Sequence, residues 1–356
     1  MSAGAGGAAG RPVVPPRRVL VKEPNWLGDL VISLPALHAV RRAYPAAELA
    51  VLVRQELAGF FDGLRWVDRV IAYRVRRGLA GIADRRRVVS AIRAGGFDLA
   101  VVFPKSFEAA LWVKLGGVPR RAGLAVQARG ALLTHRTAPA RALENAHQAN
   151  DYLQMLRDTL AIEGSAADVL LEVGAQRQAM MREWLTARRR RPRLPLVALA
   201  AAAAYGPAKE WPAERYAALV DRLAGRCECV LVGAPGERGR CERIVTASRA
   251  GALVAAGATD VGDLVALLSL CAGFAGNDSG AMHVAGALGI PTVGIFGSTW
   301  PERTGPLGPR TRVLYRKVPC SPCFDRACRF GHYECLKAIS VAEVGDALAG
   351  LGTFGG

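Results

Sequence analysis

The sequence is poor in aromatic residues and contains no long apolar segment. Phe, Trp and Tyr make up 6% of its 356 residues although 51% of the chain is hydrophobic, so its cores must be built mainly from Ala, Val and Leu. No apolar run approaches the length that is needed to cross a bilayer. Residues 1–16 are rich in Gly, Ala and Pro without an apolar core, which predicts a disordered leader and argues against a signal peptide. We therefore expect a globular protein that stays in the cytoplasm.

Acidic residues are also in short supply. The chain has 47 Lys and Arg against 30 Asp and Glu, a formal charge of +17, which calls for a polyanionic neighbour. Nucleic acid, an anionic membrane surface and a phosphorylated substrate all qualify, and the charge alone does not choose among them. In the cytoplasm the eight cysteines are expected to be reduced, so a cysteine cluster indicates metal binding or packing before disulfides.

Two series of alternating strands and helices can be followed along the chain. The first starts with an apolar strand at 18–22, a loop from Glu23 to Asp29 and a helix from Leu30 to about Ala43. After an arginine- and proline-rich break the pattern restarts with an apolar strand at 196–202. Near-continuous apolar strands separated by helices are typical of parallel sheets covered on both faces. The predicted fold is α/β, with two doubly wound, Rossmann-like domains that face each other across a cleft.

A chain of this length is too long for one small core, so two domains are the default expectation. The basic break marks the linker between them. The predicted division is a leader (1–16), an N-terminal domain (17–187), a linker (188–195), a C-terminal domain (196–335), and a C-terminal helix and tail (336–356).

The stretch Asn277-Asp278-Ser279-Gly280 opens a helix of small residues that ends near Gly289. Free backbone N–H groups and the positive end of the helix point at one spot there, a suitable seat for a phosphate or diphosphate. Ser279 can add a hydroxyl donor, Gly280 allows close approach of a ligand, and His283 lies one turn further along. Two plainer interpretations stay open: Asp278 or Ser279 only caps the helix, and His283 is a satisfied core histidine.

Each series also has an informative loop after its first strand, which is where open α/β sheets bind ligands. In the first loop Asp29 can act as a general base aimed across the cleft; the alternative is an N-cap of the following helix. In the second loop Lys209 can neutralise a diphosphate leaving group; the alternative is a solvated surface lysine. Pro207 and Pro212 restrict this second loop, which favours a functional role for Lys209.

A cysteine cluster lies near the C-terminus. Cys320, Cys323, Cys328 and Cys335 form a C-x2-C-x4-C-x6-C array, with His332 inside it. Four soft ligands in so short a span can hold a structural zinc or iron ion tetrahedrally. Packing thiols and an adventitious disulfide are the alternatives. The other four cysteines lie in apolar segments and are interpreted as core residues.

Four motifs in this order resemble glycosyltransferase family 9. They are Asn25-Trp26-Leu27-Gly28-Asp29 with Ser33-Leu34-Pro35-Ala36-Leu37, then Tyr205-Gly206-Pro207-Ala208-Lys209, then Asn277-Asp278-Ser279-Gly280 with Met282-His283, and Phe296-Gly297-Ser298-Thr299. The resemblance spans roughly residues 18–344. It implies a GT-B fold and an inverting transfer of heptose from ADP-heptose to the inner core of lipopolysaccharide, in particular transfer of the second heptose.

The resemblance also implies roles for individual residues. Asp29 matches the family's catalytic aspartate, which takes the proton of the acceptor hydroxyl. Lys209 and the helix N-terminus supply positive potential under the departing ADP, so no cofactor is required for catalysis. One departure is Ala201-Ala202-Ala203, where family members usually carry Pro-Gly-Ala; the lost glycine is expected to reshape the approach to the phosphates. The implied donor-binding residues are Lys209, Tyr205, Asp278, Ser279, Gly280 and His283.

The acceptor side is less legible in the sequence. In this family the first domain faces a phosphorylated, Kdo-bearing lipid A core, and arginine suits phosphates and carboxylates. A solvated basic surface is the alternative for each single residue. The same charges predict peripheral, salt-sensitive association with the anionic surface of the inner membrane. The predicted acceptor-binding residues are Arg85, Arg86, Arg87, Lys105, Arg120 and Arg121.

Two other functions compete with this interpretation. A relative within the family could transfer heptose or another sugar to a protein or to a different glycan. A non-enzymatic basic protein could bind RNA through its arginines and its cysteine cluster. The sequence lacks the interleaved aromatic and basic residues of a base-stacking surface, and RNA binding leaves Asp29, Lys209 and Asp278 unexplained. We therefore expect no nucleic-acid partner.

Overall fold

The computed structural model describes residues 14–140 and 143–354. Most of the predicted leader, residues 1–13, lies outside these ranges. The described residues form two six-stranded sheets in which every strand pair is parallel. This confirms the predicted α/β fold with two doubly wound domains.

The N-terminal sheet has the strand order β3-β2-β1-β4-β5-β6. Its central strand β1 is buried because Val19, Leu20 and Val21 are apolar on both faces of the sheet. The strands are β1 (Arg18–Lys22), β2 (Glu48–Arg54), β3 (Arg69–Tyr73), β4 (Leu99–Val102), β5 (Arg120–Leu124) and β6 (His135–Thr137). The helices are α1 (Leu27–Ala43), α2 (Ala80–Gly95), α3 (Phe107–Leu115), α4 (Ala149–Leu160) and α5 (Ala175–Thr186).

The C-terminal sheet has the order β12-β11-β10-β7-β8-β9. Its strands are β7 (Leu196–Ala200), β8 (Glu228–Leu231), β9 (Leu253–Val254), β10 (Gly273–Asn277), β11 (Thr292–Phe296) and β12 (Thr311–Tyr315). Its helices are α6 (Ala213–Leu223), α7 (Arg238–Ala247), α8 (Val261–Ser269), α9 (Gly280–Ala287), α10 (Pro301–Thr304), α11 (Glu334–Lys337) and α12 (Val341–Gly350).

In both sheets the order of the strands reverses between the first and fourth strands of the domain, as it does in Rossmann-type sheets. The switch points lie between β1 and β4 in the N-terminal sheet and between β7 and β10 in the C-terminal sheet. Ligands bind at the carboxyl ends of strands at such points. The segments that follow β1, β7 and β10 carry Asp29, Lys209 and Asp278, so the topology directs all three toward ligand-binding positions.

The two domains contact each other along α1 and α9, and again where a short 3-10 turn at Gln55–Phe61 packs on α8. Arg177 on α5 bridges this second contact. It forms ion pairs with Asp62 of the first domain and with Asp260 and Asp263 of the second, at 2.7–2.8 Å. These ion pairs therefore join the two domains at a place distant in sequence from Asp29, Lys209 and Asp278.

Three strands lack a clear strand signal in the sequence. β5 and β6 carry Arg, Gly, His and Thr, and β12 lies at the edge of its sheet, so none shows the continuous apolar run of a central strand. The helices at the domain boundaries also differ from the predicted division. α5 packs on α8, and buried residues of α12 such as Val344 and Leu348 belong to a C-terminal core. The final helix is therefore part of the second domain.

Within residues 14–140 and 143–354, no helix combines the length and the hydropathy that spanning a membrane requires.

Candidate active site

Asp29 lies in the first turn of α1, directly after the central strand β1. The helix begins at Leu27 with Trp26 at its N-cap position, so the alternative of Asp29 as the N-cap is wrong. Asp29 Oδ1 instead accepts a hydrogen bond from Gln148 Nε2 at 3.1 Å. Burial raises the pKa of Asp29 above its ordinary value, while the bond from Gln148 and the charge of Lys209 act to lower it. A partly buried carboxylate with a raised pKa in a cleft has the properties of a general base.

Lys209 is held by a buried ion pair and is not a solvated surface lysine. Its Nζ donates to Asp278 Oδ2 at 2.5 Å and lies 4.9 Å from the centre of the Tyr205 ring. Thr299 Oγ1 donates to the same Asp278 oxygen at 2.6 Å. The Lys209 and Asp278 side chains are only 14% and 4% exposed. Asp278 therefore positions the ammonium group, and this contact explains its place in the motif better than a direct contact to phosphate.

The start of α9 presents buried polar atoms that have no protein partner. Ser279 occupies the N-cap position, but its side chain makes no capping hydrogen bond, so the simple capping interpretation is wrong for this residue. The hydroxyls of Ser279 and Ser298 and Nδ1 of His283 are buried without a partner. Burial lowers the pKa of His283 to about 4, so its ring is neutral at physiological pH. Buried polar groups are normally paired, so these atoms indicate a ligand site.

Gly28 and Gly280 bring the beginnings of α1 and α9 into contact. A Cβ atom on Gly28 would lie 3.0 Å from His283 Cδ2, and one on Gly280 would lie 2.8 Å from Leu27 Cβ. Lys209 and Asp278 both lie close enough to Asp29 to influence its pKa. The predicted base and the predicted donor-binding residues therefore meet in one site, at the N-terminal ends of two helices.

A buried polar network supports the loop between β1 and α1, which leads to Asp29. Lys22 and Glu23 at the end of β1 are each 1% exposed, and burial lowers the pKa of Lys22 to about 7 and raises that of Glu23 to about 8. Asn25 Oδ1 accepts hydrogen bonds from Lys22 Nζ at 3.1 Å and from the Tyr73 hydroxyl at 2.8 Å. These bonds fix Asn25, the first residue of the motif.

The predicted acceptor residues fall into two groups. Lys105 follows β4 at the switch point, lies 3.7 Å from Asp151 and influences the pKa of Asp29, so it reaches the cleft. Arg85 pairs with Glu108 in the first turn of α3 at 2.5 Å, and Arg87 pairs with Asp84 at 3.0 Å. These arginines, with exposed Arg86, lie on the first turns of α2, and their role as acceptor ligands stays a prediction.

Arg120 and Arg121 are misplaced by the sequence analysis. They begin β5, and Arg120 lies beside Leu99 at the start of β4. The beginnings of parallel strands lie at the edge opposite their carboxyl ends, where ligands bind. Arg121 also donates to the carbonyls of Leu132 and Val118. These two arginines therefore belong to the far edge of the sheet and not to the acceptor site.

Several residues of the site were missed by the sequence analysis. Gln148 binds Asp29, and Thr299, although part of a quoted motif, received no role there. Arg303 on α10 crosses the cleft, donates to the carbonyls of Leu143 and Ala146, and pairs with Asp151. Fully buried Arg129 donates to the carbonyls of Leu124, Pro104 and Ser106 and so holds the segment around Lys105. None of these residues has a spacing that signals its role, because the fold alone brings them to the site.

The four predicted metal-binding cysteines lie close together beside the donor site. Cys320, Cys323, Cys328 and Cys335 line one small cavity together with His332. Among the residues that the structure describes, no three potential metal ligands stand at coordination distance from a common point. No disulfide joins any of the eight cysteines.

The chain is similar to several known proteins. A sequence profile of glycosyltransferase family 9 (heptosyltransferase) matches residues 85–334. Lipopolysaccharide heptosyltransferase 2 of Salmonella typhimurium is 28% identical over 321 residues, which cover 85% of this chain and 90% of that protein. The structure of E. coli ADP-heptose lipopolysaccharide heptosyltransferase II is similar with a TM-score of 0.80 at 25% identity, covering 94% of this chain and 98% of the other. A family 9 glycosyltransferase from Veillonella parvula aligns with a TM-score of 0.81 at 23% identity, over 94% and 97% of the two chains.

Proposed function

The chain belongs to glycosyltransferase family 9, the heptosyltransferase family, and on that premise we propose that it transfers heptose from ADP-heptose to the inner core of lipopolysaccharide, as the enzyme that adds the second heptose. The relatives named heptosyltransferase 2 support this assignment. The observation that carries it is the meeting of Asp29 with the Lys209–Asp278 pair at the start of α9.

The donor half of the proposal places the diphosphate of ADP-heptose at the N-terminus of α9. The free N–H groups of the first turn, the unpartnered Ser279 and Ser298 hydroxyls and Lys209 Nζ offer the donors that a diphosphate needs. His283 is neutral, so it can contribute a hydrogen bond but no charge. Positive potential from Lys209 and the helix end stabilises the charge that develops on departing ADP, and we propose no catalytic metal.

The chemical half of the proposal is a single displacement at the anomeric carbon. An acceptor hydroxyl oxygen forms the new C–O bond while the bond from the sugar to the diphosphate breaks and its electron pair leaves on the phosphate oxygen. The hydroxyl proton passes to the Asp29 carboxylate, which Gln148 orients. Attack on the face opposite the leaving group inverts the anomeric configuration.

The acceptor half of the proposal is a phosphorylated, Kdo-bearing lipid A core that approaches the N-terminal domain. Among the predicted acceptor residues, Lys105 is close enough to Asp29 to influence its pKa, and we propose that Arg85, Arg86 and Arg87 continue this positive surface. The same end of α2 exposes Leu79 at 85% and Ile82 at 47%. Exposed aliphatic residues among arginines suit the surface of an anionic membrane, so we propose that this end of α2 touches the inner membrane.

The test is a transfer assay with purified protein, ADP-heptose and a panel of truncated inner-core acceptors, read by mass spectrometry. We expect one heptose to be added to an acceptor that already carries the first heptose, and Asp29→Asn serves as the matched inactive control. Addition only to a protein or to an unrelated glycan would favour the alternative function within the family. Absence of transfer to every acceptor, with ADP-heptose bound, would contradict the proposed acceptor class.

A further inference from the structure

The segment that carries the cysteine cluster supports the donor site directly. Residues 316–333, here called the thiol loop, contain neither helix nor strand. Phe324 N donates to Ser298 O at 2.8 Å, and Arg326 O accepts from Ala208 N at 3.0 Å. The Tyr205 hydroxyl donates to Phe324 O. The thiol loop therefore underlies both the Lys209 loop and the turn that carries Ser298.

Little apolar burial holds the thiol loop in place. Phe324 and Phe330 are 53% and 62% exposed. Phe324 and Tyr333 also adopt left-handed backbone conformations, with φ of 57° and 53°, which cost energy for residues with bulky side chains. Long irregular loops are uncommon in compact domains. A cross-link would stabilise a loop of this kind by limiting the conformations of the unfolded chain.

The thiols of the cluster lie around one small cavity. Cys320, Cys323 and Cys328 on the thiol loop and Cys335 on α11 line one cavity. Cysteine sulfurs are soft ligands, and zinc and iron bind them as thiolates in tetrahedral sites.

We propose that Cys320, Cys323, Cys328 and Cys335 bind one zinc or iron ion, which fastens the thiol loop beneath the donor site. Four thiolates complete a tetrahedral shell and leave no open position, so the ion is structural. Each thiol gives up its proton to solvent on binding. The sulfurs must move to meet the ion, because no three ligands converge in the described residues; rotation of a cysteine side chain between staggered conformers moves its sulfur without moving the backbone.

His332 lies beside the four thiols but is not one of the ligands. Its Nδ1 accepts the backbone N–H of Glu334 at 3.0 Å, so in the neutral ring the proton is on Nε2. Nε2 lies 3.9 Å from Cys320 Sγ. The ring can therefore donate to the Cys320 sulfur, as a supporting group outside the shell of ligands. Phe330 stacks on this ring at 5.6 Å.

The first experiment uses the unaltered protein, purified under reducing conditions without added metal. Elemental mass spectrometry should find about one zinc or iron ion per chain, and titration of its thiols with a mercurial should release that ion. Visible absorption distinguishes iron from colourless zinc. A protein without metal, or an intact mass that reveals a disulfide within the cluster, would overturn the proposal. This result does not depend on transferase activity, so it stands apart from the proposed function.

Variants then assign the ligands and the role. Cys323→Ser and Cys328→Ser should lose the ion and bind ADP several-fold more weakly, because the Lys209 loop loses its support. His332→Ala and the core variant Cys241→Ala should keep the ion. Metal retained after replacement of Cys323 and Cys328 together would show adventitious binding and overturn the assignment, and loss of metal from His332→Ala would overturn the four-thiol shell.

Discussion

The charged residues of the donor side, Lys209 and Asp278, differ in burial from those of the proposed acceptor side, such as Arg85. Lys209 and Asp278 are 14% and 4% exposed and bind each other, whereas Arg85 and Glu108 are 45% and 43% exposed. A buried ion pair is fixed in place and only weakly screened by salt, while an exposed pair is mobile and strongly screened. The donor side is therefore preorganised and the acceptor side adaptable. Substitutions should have large, salt-independent effects on one side and small, salt-dependent effects on the other.

The largest effect is expected where the two sides meet, at Asp29. Asp29→Asn keeps the shape of the side chain and the hydrogen bond from Gln148 but removes the proton acceptor. We expect kcat to fall by roughly 10²–10⁴-fold, with ADP-heptose affinity unchanged in calorimetry. Near-normal turnover would refute the role of Asp29 as the base. Lost donor affinity would instead place Asp29 on the donor side of the comparison.

The second largest effect is expected on the donor side, at Lys209. Lys209→Ala removes the cation that faces the diphosphate and leaves Asp278 buried without its partner. ADP-heptose affinity should fall roughly tenfold to a hundredfold, and the free energy of unfolding should fall by about 3–5 kcal/mol.

The double variant Lys209→Ala with Asp278→Asn separates these two losses. Neutral Asn removes the unpaired charge, so thermal and denaturant unfolding should show much of the lost stability restored while calorimetry still finds weak ADP-heptose binding. Restored binding would mean that Lys209 acts only through Asp278 and does not touch the donor.

The sequence reveals the donor side better than the acceptor side for a physical reason. Asp29, Lys209 and Asp278 follow central strands whose apolar runs make the topology predictable, so their meeting could be inferred. Arg120 is predicted as an acceptor residue because it is basic and lies in the first domain. Its place at the opposite edge of the sheet is hidden in the sequence because β5 has no apolar run. Gln148 reaches Asp29 only through the packing of α4 on α1, which no local pattern encodes.

A smaller effect tests the acceptor side. Lys105 is half-exposed near the cleft, and Arg120 lies at the opposite edge of the same sheet. Lys105→Ala should raise the acceptor KM by a few-fold. Added salt should raise this KM less steeply in the variant than in the unaltered protein, because the variant has lost one screened charge. Arg120→Ala, the matched control, should change neither quantity. Equal losses in both variants would mean that the total charge, and not its position, recruits the acceptor.

The smallest effect concerns the pH at which the base becomes active. Asp29 works as a carboxylate, so turnover should rise with pH through its pKa, which burial holds above the ordinary value. The hydrogen bond from Gln148 lowers that pKa; Gln148→Ala should therefore move the acid limb of kcat to higher pH. Gln154→Ala, which removes a half-buried amide from the helix that begins after Gln148, should leave the limb in place. The acid limb of kcat could instead stay at the same pH in Gln148→Ala while kcat falls at every pH. That result would mean that Gln148 orients Asp29 without changing its pKa.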